Sequence, residues 1–190
     1  MRLYLVRHGE TEWNRLKILQ GQTDIPLNET GILQARTLAE KVAELPFQGI
    51  VYSPLLRTKQ TADIIYEILK QKEALSGRNL WMRENALLME QDYGCANGRS
   101  ITFTDEEWDQ WYSCYGQGGE SDREFEKRMN RAALSLLMYE AESLLIISHG
   151  AVIGKLMEIF TGQPVLISGI KNGTIYCVVV ETKNQNEIVF

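Results

Sequence analysis

The sequence predicts an α/β fold, a three-layer sandwich in which a mainly parallel central sheet is flanked by helices. Three observations carry that expectation. Short apolar runs alternate with longer stretches whose apolar residues recur every three or four positions, the pattern of strands exchanging with amphipathic helices. The run Ser143-Leu144-Leu145-Ile146-Ile147-Ser148 is continuously apolar between its serines, as in a strand covered on both faces. The chain has 190 residues, 44% apolar and 24% charged, which suits one compact unit with a sizeable core and is too apolar for a disordered chain.

Taken in order, Leu3–Val6 reads as a buried strand, and Asn28 as the N-cap of a helix on which Ile32, Ala35, Leu38, Ala39 and Val42 form one face. Pro46 and Gly49 punctuate its end. Gly49–Ser53 is a second short strand closed by Pro54, and Thr58–Leu69 a helix with Ala62, Ile65, Ile68 and Leu69 on one side. A weaker strand at Asn79–Arg83 precedes a loop rich in small residues, Glu90 to Ser100. Trp108, Trp111, Tyr112 and Tyr115 then stand at helical spacing. Ser121-Asp122-Arg123-Glu124 has the spacing of a capping box and opens a helix running to about Tyr139. After the Ser143–Ser148 strand, Ala151–Phe160 is a helix stopped near Gly162. Thr174–Thr182 is a further strand and Glu187–Phe190 a short edge strand. The chain reads as one domain over residues 1–190, with a small lid-like insertion around residues 95–120.

Charge and composition narrow the function. A formal net charge of -5 excludes a general nucleic-acid binder, which needs a basic face to displace counterions from phosphates, so any anion site must be local. Cys95, Cys114 and Cys177 are widely separated, odd in number and lack C-x-x-C spacing. Neither a disulfide framework nor a zinc site is indicated, and a reducing, cytoplasmic setting is expected. The N-terminus lacks a basic segment followed by an apolar one, and no apolar run approaches the ~18 residues of a membrane span, so no membrane partner is expected.

The chain contains two histidines, His8 and His149, and each follows an apolar strand and precedes a glycine. If the two strands are neighbours, both imidazoles emerge at the carboxyl edge of the sheet, where ligands bind in such folds. Gly9 and Gly150 would let the backbone approach that ligand. Arg7 stands beside His8, and Arg57 follows the second strand within Ser53-Pro54-Leu55-Leu56-Arg57. Two arginines at this edge suit a tetrahedral oxyanion, because the planar guanidinium donates parallel hydrogen bonds.

These residues belong to an ordered set: "LVRHGETEWN" at the start, "QGQTDIPLNETG" from Gln20, "SPLLRTKQTA" from Ser53, Glu90 followed by Gly94, "GGES" from Gly118 and "SHG" at Ser148–Gly150. The set resembles the histidine phosphatase superfamily, in its phosphoglycerate mutase-like branch, and runs over about the first 150 residues. The resemblance implies the phosphoglycerate mutase-like fold and a metal-independent phosphatase acting on small phosphomonoesters. His8 would be the nucleophile that becomes phosphohistidine, attacking as neutral imidazole. Arg7, Arg57 and His149 would line the phosphate pocket and stabilise the equatorial oxygens of the transition state. Glu90 would donate a proton to the leaving alcohol and then activate water, which calls for a raised pKa and an activity optimum on the mildly acidic side of neutral. Asn14, Gln20, Gly21 and Gly150 would bound the substrate. No metal and no cofactor are implied, and the partner is a small phosphorylated metabolite, with the apolar final strand permitting a homodimer.

One departure concerns the loop after Glu90, where the family commonly carries G-x-W-E-G and this chain has Gly94-Cys95-Ala96-Asn97-Gly98. The catalytic set is unaffected, but the substrate cannot be borrowed from relatives. Two alternatives stand beside the phosphatase. A mutase would retain a bisphosphorylated intermediate, which mutase relatives hold with basic residues on a long insertion. Here the corresponding segment, "TDEEWDQWYSCYGQGGE", is short and acidic. A catalytically inactive binding module of the same fold would be expected to lack one of the five catalytic residues, and all five are present.

Overall fold

The computed structural model describes residues 1–76, 79–102 and 117–180. Five strands form one sheet: β1 (Arg2–Arg7), β2 (Gly49–Tyr52), β3 (Trp81–Glu84), β4 (Ser143–Ser148) and β5 (Ile175–Val179). Their order is β3-β2-β4-β1-β5. The first four run parallel, and β5 lies antiparallel against β1. This is the mainly parallel sheet expected. β1 and β4 are direct neighbours, with Leu3 opposite Leu144 and Arg7 opposite Ser148.

The helices are α1 (Glu12–Arg15), α2 (Glu29–Val42), α3 (Leu56–Ser76), α4 (Asp122–Leu137) and α5 (Gly150–Thr161). The two-residue alternation of the strands sorts their side chains between two cores. Leu3, Leu5, Leu144 and Ile146 pack with Met129, Ala133 and Leu136 of α4 and Val152 and Leu156 of α5. Tyr4, Val6, Leu145 and Ile147 pack on the other face with Leu38 and Val42 of α2 and Ile65 and Leu69 of α3. All six residues of β4 are buried, which accounts for its uninterrupted apolar sequence.

Several boundaries differ from those expected. Asn28 does cap α2, its side chain accepting from Gly31 N, but Ile32 is 38% exposed, and Gly31 takes its place on the buried face. The glycine is needed there because a Cβ would lie 2.1 Å from the Glu10 carbonyl oxygen. α3 runs nearly two turns beyond Leu69, to Ser76. β3 begins at Trp81, two residues later than expected, in register with Gly49. α1 has no counterpart among the expected elements. Thr11 caps it, and Asn14 at the third helical position closes the box usually completed by Glu or Gln. Ser121 and Glu124 form the anticipated capping box, and Gly162 ends α5 at φ 67.

The lid-like insertion lies partly outside the described residues, as do Trp108, Trp111, Tyr112, Tyr115 and the edge strand expected at Glu187–Phe190. Its flanks meet: Cys95 N donates to Gln117 O at 3.0 Å and Glu120 N to Asp92 O at 2.8 Å. Cys95 is disulfide-bonded, whereas Cys177 is free and exposed. The disulfide at Cys95 departs from the expectation that the cysteines form no disulfide framework, and their spacing no longer supports a reducing setting. Pairing depends on which loops the fold brings together, a property that C-x-x-C spacing does not encode. No described helix is long and apolar enough to cross a membrane.

Candidate active site

Adjacent parallel strands end at the same edge, so β1 and β4 deliver His8 and His149 side by side. His8 N continues the ladder to Ser148 O at 3.0 Å. The two rings lie 5.2 Å apart between centroids, tilted by 60°, and both are buried. The His8 Nδ1 lies 2.7 Å from the carbonyl oxygen of Gly9. A carbonyl can only accept, so Nδ1 carries the hydrogen and Nε2 keeps its lone pair. Around the backbone, Asn172 Nδ2 donates to His8 O at 2.6 Å, and Gly9 N donates to Thr61 Oγ1 at 3.1 Å.

Gly9 is required for a different reason from the one anticipated. A Cβ on it would lie 2.4 Å from the Gly31 carbonyl oxygen, so the glycine admits the start of α2 rather than a ligand. At Gly150 a Cβ would meet Arg7 Cζ at 3.6 Å, ordinary contact that makes no demand for glycine.

Arg57, on the first turn of α3, is 1% exposed, and its guanidinium donates through Nη1 to Thr23 O at 2.8 Å and through Nη2 to Gly21 O at 2.7 Å. Arg7 Nη1 donates to Ile170 O at 2.6 Å. The Nε of each arginine and the Nδ1 of His149 are buried without a hydrogen-bond partner. Such donors are costly to bury alone, and anion oxygens would satisfy them. Burial pulls the Arg57 pKa down to about 10, and Arg7 also lies below its ordinary value through burial, with Glu90 acting in the opposite direction on both.

The same burial, reinforced by Arg57 and Arg7, holds His8 well below its usual value. Burial together with Arg57, His8 and Arg7 does the same for His149. Both imidazoles are neutral at physiological pH. Glu90 moves the other way. Burial raises its pKa, opposed by Arg57, Arg7 and the backbone N–H groups of Gln91 and Ala151. A nucleophile freed of its proton and a carboxyl inclined to keep one are what an acid-assisted displacement needs.

The other expected residues divide. Gly21 carries φ 48 and offers its carbonyl to Arg57. Gln20 is buried and its Oε1 has no partner. The Asn14 Oδ1 accepts from Thr11 N at 3.2 Å and Oγ1 at 3.1 Å, closing the cap of α1. Gly150 starts α5 directly behind His149.

Sequence reasoning passed over three contributors. Ser53, just beyond β2, places Oγ 2.8 Å from His149 Nε2. Gln22 Nε2 donates to Glu90 O at 3.0 Å. Arg128 of α4 hydrogen-bonds the backbone around Glu90. Ser53 had a signal, since it ends a strand at the same edge as His8 and His149. The other two join segments remote in sequence, and no local pattern marks them.

Comparison with known proteins sets this geometry among relatives. A family model described as the histidine phosphatase superfamily (branch 1) matches residues 3–189. A Yersinia pestis protein described as "Probable phosphoglycerate mutase GpmB" is 36% identical over 173 residues, covering 86% of this chain and 76% of that protein. The crystal structure of a "putative alpha-ribazole-5'-P phosphatase" from Escherichia coli aligns with a TM-score of 0.77 at 25% identity, over 96% of this chain and 92% of the other. A phosphoglycerate mutase from Thermus thermophilus aligns with a TM-score of 0.68 at 29% identity, over 94% and 92% of the two chains.

Proposed function

The chain belongs to branch 1 of the histidine phosphatase superfamily, whose relatives include phosphatases and mutases, and we propose that it is a metal-independent phosphomonoester hydrolase working through a phosphohistidine on His8. The observation that carries this reading is the neutral His8 ring, with Nδ1 fixed by the Gly9 carbonyl, set among the unpartnered donors of Arg7, Arg57 and His149.

The chemistry proceeds in two displacements. The Nε2 lone pair forms a bond to phosphorus as the bond from phosphorus to the leaving oxygen breaks, and the Glu90 carboxyl gives its proton to that oxygen. Glu90, now ionised, takes a proton from water while the water oxygen bonds phosphorus and the P–N bond breaks, returning neutral His8. The arginines and His149 donate to the phosphoryl oxygens throughout, a stabilisation largest where charge spreads in the transition state. Fixed positive charge supplied by side chains takes the part that a metal ion plays elsewhere.

The decisive experiment is release of phosphate from p-nitrophenyl phosphate with chelator present. Wild type should turn over and His8→Ala should lose activity by at least about a thousandfold, in keeping with removal of a nucleophile. Turnover undiminished in the variant would overturn the assignment of His8, and complete dependence on added metal would overturn the mechanism. Vanadate, which adopts five-coordinate geometry, should inhibit.

The mutase reading draws on the name carried by the Yersinia relative. Against it stands the acidic segment after Glu90, which would repel the second anionic group that a mutase must retain. Isomerisation of 3-phosphoglycerate faster than its hydrolysis would reverse the ranking. The cytoplasm remains the proposed setting because of the small phosphorylated substrates, and a small phosphorylated metabolite is the proposed partner.

A further inference from the structure

Glu90 sits in a stretch with no ladder or helical hydrogen bonds of its own, just beyond the single 3-10 turn Ala86–Leu88. A proton donor must nonetheless be held within a fraction of an ångström of the leaving oxygen. The support comes from α4. The Arg128 guanidinium donates through Nη1 to Leu87 O and Met89 O, each at 2.7 Å, and through Nη2 to Glu90 O at 3.2 Å. Its remaining donors pair with Glu120, Nε to Oε1 and Nη2 to Oε2, each at 2.7 Å. All five N–H groups of the guanidinium are thereby used, three of them on consecutive or near-consecutive carbonyls of the segment that carries Glu90. Arg128 and Glu120 are 15% and 14% exposed in their side chains, so the pair is shielded from competing water. From the sheet side, Ser148 Oγ donates to Leu88 O at 2.8 Å.

We infer that Arg128 is a positioning residue for the proton-donating carboxyl of Glu90, with Glu120 fixing the orientation of its guanidinium. The inference rests on the phosphatase reading and on Glu90 as its general acid. Besides these carbonyls and Glu120, Arg128 meets the face of the Phe125 ring at 5.2 Å, and its charge lowers His149 less than Arg57 and Arg7 do, so its main influence on the reaction passes through the placement of Glu90. Lysine cannot replace it, since an ammonium has three donors and no planar fork.

A proton donor matters in proportion to the basicity of the leaving group, and this separates positioning from simple structural support. p-Nitrophenolate departs without a proton, whereas the alkoxide of glycerol 2-phosphate does not. Turnover of both substrates should be measured for wild type, Arg128→Lys, Glu120→Gln and Glu90→Gln, with thermal melting of each. In Arg128→Lys, kcat/KM, which ends at phosphoryl transfer to His8 and leaves out the water step, should fall about tenfold to a hundredfold for glycerol 2-phosphate and less than about threefold for p-nitrophenyl phosphate. Glu90→Gln should show the same selective loss, larger. Glu120→Gln should show a smaller one with near-native melting, which keeps the test open if Arg128→Lys folds poorly.

Equal losses on both substrates in the Arg128 and Glu120 variants would overturn the inference and leave only a structural ion pair. Selective loss in Glu90→Gln without any in the other two would also overturn it, while leaving the phosphatase reading intact. Wild type inactive on both substrates would overturn both.

Discussion

Ser53 is the hydrogen-bond partner of His149 Nε2 and so bears on which ring nitrogen carries the hydrogen. Leu55 N donates to Ser53 Oγ at 3.4 Å, and with the serine hydroxyl as donor to Nε2, 2.8 Å away, the His149 proton sits on Nδ1, the atom without a partner. His149 can then donate to a phosphoryl oxygen while uncharged. Ser53→Ala removes this hydrogen bond, and kcat should fall about tenfold, matching the roughly 1.5 kcal/mol of such a bond, with little change in melting temperature. A kcat equal to wild type would show that the tautomer is set elsewhere. At this scale the sequence was partly legible. Arg7, His8, Arg57 and His149 could be found because strand ends are predictable and the edge they share follows from topology. Gln22 and Arg128 could not, since each acts on backbone carbonyls far off along the chain, and such pairing is a product of register and side-chain reach.

At the scale of elements, caps and close approaches set the boundaries. Ser121 accepts from Glu124 N at 3.3 Å, and the Glu124 carboxylate accepts from Ser121 N at 3.0 Å, fixing where α4 begins and hence where Arg128 emerges. Ser121→Ala should cost about 1 kcal/mol, read from urea denaturation. Gly9→Ala is a harsher change, because the new methyl meets backbone of α2 that cannot swing aside. A loss of about 1–3 kcal/mol is expected together with lost activity, since His8 is the adjacent residue. The same mutant with native melting and turnover would mean that α2 yields more readily than its packing suggests. Helix starts marked by Asn28 and Ser121 were readable because capping chemistry is local. α1 was not, for its box closes with an asparagine. β3 was misplaced because its register answers to Trp81 lying against Gly49, where an added Cβ would come 2.3 Å from the indole ring, a contact no periodicity announces.

For the molecule as a whole, the buried histidines couple folding to pH. In the unfolded chain each titrates near 6.5, whereas burial and the neighbouring arginines hold both well below that in the fold. As pH falls below 6.5 the unfolded chain binds more protons, so stability declines, by about 1.4 kcal/mol per pH unit for each histidine, until the folded values are reached. Glu90 has the opposite sign: its raised folded pKa favours the fold at low pH, a contribution withdrawn as pH rises through that value. Urea denaturation at several pH values between 7.5 and 5, expressed through roughly those slopes, should show His149→Gln to be less acid-sensitive than wild type. Identical slopes would place the titration in other groups. The alternating α/β order, the sheet and its carboxyl edge were legible from periodicity, but the strand order β3-β2-β4-β1-β5 was not, because it depends on which distant strands pair. That order has a consequence for biosynthesis. His8 and His149 come from neighbouring strands, yet 141 residues separate them in the chain, so at ribosomal speeds of ~5–20 residues per second His8 is translated on the order of ten seconds before the strand that delivers His149 beside it. A nascent polypeptide halted short of β4 carries Arg7, His8 and Arg57 but neither His149 nor the strand that pairs with β1 and β2, and the site is complete only late in synthesis.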